Sequence, residues 1–144
     1  MEKHKIYDED FYGWTNEQAE LLEKGDYEHM DILNLIEEIL CLGRSQTDKL
    51  ESHLEIFFIH MLKKKYQPEK ETRSWNLSIK NSRERAIKTL RDNPSLKHKL
   101  NEIINTSYSY ARTGAAQETG LEEYIFPKEC LWTIEEILDS DPVK

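Results

Sequence analysis

Apolar residues recur along this chain at intervals of three and four, the period of an amphipathic helix, and nowhere alternate convincingly at period two. The first helical pattern covers residues 8–24, with Phe11, Trp14, Leu21 and Leu22 on one stripe and Gly25 placed to cap its end. Asp31 is an expected N-cap for a helix over 31–43, in which Ile32, Leu35, Ile36, Ile39 and Leu40 mark one core-facing side. Gly43 interrupts this pattern, as a stop or as a bend, and Ser45 with Asp48 resembles an acidic capping box opening a helix over 45–66. That helix is the most apolar. Leu50, Leu54, Phe57, Phe58, Met61 and Leu62 form a wide stripe, and Ile56 and Ile59 extend it round the back, which predicts a central position with near-complete burial.

Gln67-Pro68 stops the central helix, because proline disfavours helical geometry in the residue before it. Two further helices are expected over 73–92 and 94–118, the second opened by Pro94 and closed by Gly120. The first of these is expected to start near Thr72 or Ser74, and Ser74 can cap it. Residues 121–132 read as an extended tail, and Thr133 with Glu136 forms a capping box for a short helix over 133–138. The expectation is an all-α fold. Five to six helices pack bundle-like around one apolar helix in a single domain spanning 1–144.

Composition supports order: seven Tyr, four Phe and three Trp are too many aromatics for a disordered chain. No apolar run approaches the ~20 residues of a membrane span, and the N-terminus lacks a signal-peptide stretch, so a cytoplasmic protein is expected. Cys41 and Cys130 lack metal-ligand spacing. The net charge of −8 is unevenly spread: residues 1–62 carry −10, residues 63–91 carry +7 and residues 92–144 carry −5. Mutual neutralisation on folding is the plainer reading. A basic face for an anionic partner such as nucleic acid is the sharper one, and it is not favoured.

Six segments in order carry a resemblance: YDEDFYGW from Tyr7, DILNLIEEILCLGRS from Asp31, HMLKKKYQP from His60, RSW from Arg73, NPSL from Asn93 and ETGL from Glu118. Together they resemble the domain-of-unknown-function family 29, small bacterial helical proteins, over nearly the whole chain. The resemblance implies a helical fold and assigns no chemistry. Lys64 stands where that family often has tryptophan, and Leu131-Trp132 follows Cys130 where proline is expected.

The polar residues within and around these segments are the candidates for function. Glu37 and Glu38 flank an apolar stripe and supply carboxylates for acid–base or metal chemistry, with His60 as the third catalytic candidate. Adjacent helical residues point about 100° apart, so the structural reading pairs one carboxylate with Arg44 or Arg83, the latter being the expected partner from another helix. His53 and His60 are seven residues apart, not the three or four of a metal pair. Arg44, Lys63, Gln67, Arg73, Trp75 and Arg83 are candidate binding residues. No phosphate loop, zinc-type cysteine pair or nucleophile elbow is present, and no cofactor or metal is indicated. A non-enzymatic interaction or regulatory module, with a protein partner or self-association, therefore ranks first. A metal-binding or hydrolytic enzyme using Glu37, Glu38 and His60 ranks second. A nucleic-acid-associated protein using residues 63–91 ranks third.

Overall fold

Six α-helices joined by short 3-10 turns make up the fold in the computed structural model, which describes residues 2–139, with side chains from Ile6 onward; no strand forms among them. The helices are α1 (Glu2–Glu9), α2 (Phe11–Lys24), α3 (Ile32–Tyr66), α4 (Arg73–Asp92), α5 (Leu100–Thr119) and α6 (Ile134–Leu138). The all-α expectation holds. The chain divides into two compact units, Met1–Arg44 and Ser45–Lys144.

Three boundaries differ from the sequence pattern. The helices expected over 31–43 and 45–66 are one uninterrupted 35-residue helix, α3. Gly43 does not break it, because its φ is not positive and a Cβ there would meet no atom within 4 Å. Helical glycine costs about 1 kcal/mol relative to alanine, too little to stop a helix otherwise rich in Leu, Ile and Glu. Gly43→Ala is accordingly expected to stabilise the protein by roughly 0.5–1 kcal/mol in urea unfolding. The helix expected over 8–24 is instead divided at Asp10 (φ −145°, ψ 79°), whose carboxylate accepts the Gly13 amide at 3.0 Å. The segment expected to be helical from Pro94 first makes a 3-10 turn over Pro94–Lys99, and α5 begins at Leu100. Lys97, His98 and Lys99 are exposed, and Leu96 alone of the turn's side chains packs against the core.

Several end signals read from the sequence are observed. Gly25 and Gly120 take the left-handed conformation (φ 74° and 78°) that closes α2 and α5. Thr133 and Glu136 make both bonds of the capping box. Of the two expected starts of α4, Thr72 is the cap; its hydroxyl accepts the Trp75 amide at 3.2 Å.

In the Met1–Arg44 unit, the rings of Tyr7, Phe11 and Trp14 pack together at 4.7–5.7 Å. Trp14 is buried, and its indole N–H donates to Asp31 at 3.0 Å. The buried Gln18 accepts the Asp31 amide at 2.7 Å, so α2 is tied by polar bonds to the residue that opens α3. In the Ser45–Lys144 unit, Leu50, Leu54, Phe57, Phe58 and Leu62 of α3 are fully buried against Ile79, Ala86 and Leu90 of α4, Ile103, Ile104, Tyr108 and Ala111 of α5, and Ile137 of α6. Met61 is partly buried, not wholly, and Ile56 is exposed. The core side of the central helix is narrower than its sequence suggests.

Candidate functional site

The catalytic candidates are each engaged by a near neighbour. Glu38 accepts a short hydrogen bond from the Tyr7 hydroxyl, and Glu37 pairs with Arg44 of its own helix at 3.3 Å. The pairing with Arg44 was one of the two expected. Arg83, the other expected partner, donates to the carbonyls of Ile137 (2.8 Å) and Glu136 (3.0 Å). A helix C-terminus exposes carbonyls with partial negative charge, and they serve a buried guanidinium as well as a carboxylate does. His60 is held by Nδ1 to the Ile56 carbonyl at 2.9 Å. Among the described residues, no three His, Cys, Asp or Glu side chains are arranged to hold a metal.

The bond to Glu38, then partial burial, then the charge of Glu38 push the Tyr7 phenol up to about 12. Tyr108 is pushed to about 12 chiefly by burial, and its hydroxyl donates to the Pro127 carbonyl at 2.8 Å. Absorbance titration near 295 nm is expected to show these two among the last of the seven tyrosines to ionise. Glu38→Gln removes the charge beside Tyr7 and is expected to return that phenol toward 10 while leaving Tyr108 in place. For Tyr108 the neutral form is favoured by folding, so its contribution to stability is complete below pH 10 and is lost as pH rises through 12.

Four of the binding candidates lie where α3 ends and α4 begins. Lys63 is 9% exposed; its ammonium donates to Glu118 of α5 at 2.8 Å and sits 4.6 Å from the centre of the Trp75 ring. Lys64 donates to Asn76 at 3.0 Å. Gln67 is half-buried and Arg73 is exposed. A lysine flanked by a carboxylate and an aromatic face has its charge satisfied from two sides, so this arrangement fastens α3, α4 and α5 together. Glu118 and Tyr7 were not among the residues singled out from the sequence. Both stand in the six ordered segments, and that was the available signal.

The largest departure concerns the apolar side of α3 within the Met1–Arg44 unit. Of the expected core-facing stripe, Ile32, Ile36, Ile39 and Leu40 are 49%, 49%, 63% and 53% exposed while Leu35 is half-buried, and Leu33 beside them is 74% exposed. Isolated exposed hydrophobes are ordinary, but five within three turns of one helix are a patch. Its surroundings are acidic. Residues 1–44 hold twelve acidic and four basic side chains, and two of the bases, Lys24 and Arg44, are paired to Glu20 and Glu37. The patch is therefore an apolar stripe in a negative field.

The profile of the family described as Domain of unknown function DUF29 matches residues 6–142, and the chain belongs to that family. No curated protein and no solved structure matches the chain. No helix among the described residues is long and apolar enough to cross a membrane.

Proposed function

We propose that this chain is a non-enzymatic helical interaction module of the cytoplasm, and that its Met1–Arg44 unit docks a helix of a partner protein. The observation that carries this reading is the exposure of Ile32, Leu33, Ile36, Ile39 and Leu40, a helix-spaced apolar stripe with no core to enter. Such a stripe is the usual counterpart of a second amphipathic helix. Charge selects the occupant. A second copy docked through the same surface would set −8 against −8, whereas a helix with Lys and Arg beside its apolar stripe complements the glutamates. Anionic membrane is disfavoured for the same reason. The engagement of Glu37, Glu38 and His60 in local bonds supports a module that binds rather than reacts.

Fluorescence anisotropy with a labelled synthetic helix of about 20 residues, apolar at i, i+3, i+4 and i+7 and lysine-flanked, tests this. Ile36→Asp and Leu40→Asp are expected to weaken binding at least about tenfold. Both positions are exposed, so the circular dichroism and melting curve are expected to be nearly unchanged. A wild-type dimer in sedimentation velocity that Ile36→Asp dissolves would assign the stripe to a second copy and overturn the proposed partner.

A further inference from the structure

Within the Ser45–Lys144 unit, α3 and α4 border a cleft of about 400 Å³ with an unusual lining for an acidic protein. Lys49 and His53 stand one turn apart on α3, and Arg85 and Lys88 face them from α4. Asp92 is the one acid of the lining, and it is paired with Lys88 at 2.8 Å, both side chains largely exposed. Lys49 and Arg85 enter no ion pair among the described residues. Gln46 of the lining accepts a side-chain bond from Asn93 at 3.1 Å, and Thr89, held to the Arg85 carbonyl at 3.0 Å, contributes to the wall. The lining carries two net positive charges with His53 neutral and three with it protonated. An exposed i, i+4 pair such as Lys88–Asp92 is worth only a few tenths of a kcal/mol, so Lys88 is free to turn toward a stronger anion.

From this convergence we infer that the cleft binds a small phosphate-bearing dianion, with Arg85 as the fork-shaped donor and Lys49, Lys88 and protonated His53 as the surrounding charges. A long polyanion fits less well. The neighbouring side of α3 presents Asp48, Glu51 and Glu55, which repel phosphates extending past the cleft. His53 already senses the site: partial burial, then the charges of Arg85 and Lys49, hold its imidazole below the usual range. A bound dianion offsets those charges and favours the protonated ring, so the His53 titration is a direct reporter.

The experiment is an NMR titration of the histidine ring signals of the full chain in inorganic phosphate, pyrophosphate and, at matched ionic strength, sodium chloride. Phosphate and pyrophosphate are expected to raise the His53 pKa by about half a unit or more, leaving His29 and His60 unmoved. Arg85→Gln and Lys49→Gln, both at exposed positions, are expected to weaken pyrophosphate binding about tenfold each. The inference is overturned if chloride shifts His53 as much as pyrophosphate does, if neither phosphate shifts it, or if both variants bind unchanged. A duplex oligonucleotide that displaces His53 where pyrophosphate does not would also overturn it, in favour of a nucleic-acid surface.

Discussion

Replacing Phe57 with alanine is expected to cost about 3–5 kcal/mol of unfolding free energy, the range for deleting a core phenylalanine. Phe57 is fully buried in the middle of the α3 stripe, with the Phe58 ring edge-on at 5.4 Å. The Arg83 guanidinium lies over the Phe57 ring, 4.9 Å from its centre. Truncation removes the apolar contact, leaves a cavity at a fully buried position, and strips the guanidinium of its aromatic face. Equilibrium urea unfolding with Phe57→Ala and Phe57→Leu checks it. A loss below about 1 kcal/mol for the alanine variant would mean that this part of α3 is not at the core.

Arg83→Met is expected to cost about 3 kcal/mol, the second largest effect. Arg83 is 3% exposed, and its Nε and Nη2 reach the carbonyls of Ile137 and Glu136. Hydrogen bonds from charged donors contribute roughly 1.5–3 kcal/mol each, and the two bonded carbonyls would otherwise end α6 unsatisfied. A helix of five residues has no stability of its own, so α6 depends on this contact and on the burial of Ile137. Methionine keeps the apolar stem and loses the fork, and lysine restores the charge with one donor atom in place of two. Arg83→Lys is therefore expected to recover less than half of the loss. Because Arg83 touches Phe57, the double variant with Phe57→Ala is expected to be less destabilised than the sum of the two. Additive losses, or full rescue by lysine, would show that the fork to α6 carries no weight.

The helical architecture was legible because periodicity and end signals agree locally. Leu50, Leu54, Phe57 and Phe58 repeat at helical spacing, and Gly25, Gly120 and Thr133 sit where a chain end needs them. Two features were not legible. Gly43 looks like a break, but a helix stop requires a left-handed residue or a lost amide, and Gly43 supplies neither. The bonds from Arg83 to Ile137 and Glu136 were not legible either, since they end on backbone carbonyls, which every residue possesses.

The stripe from Ile32 to Leu40 marks the deeper limit. Its period is that of a core helix, and periodicity records that a face wants a neighbour without recording whether the neighbour lies in the same chain. Exposure in the folded chain distinguishes the two. Glu37 and Glu38, which from sequence suggest chemistry, take on a different meaning beside that exposed stripe: they set the sign of what can approach it.

The most direct measurement compares two labelled helices that share one apolar stripe and differ in their flanks, lysine in one and glutamate in the other, titrated with the full chain at physiological and at high salt. The lysine-flanked helix is expected to bind, more weakly as salt screens charge beyond about 8 Å, and the glutamate-flanked helix to show no measurable binding. Equal affinity for both helices, or none for either, would contradict it.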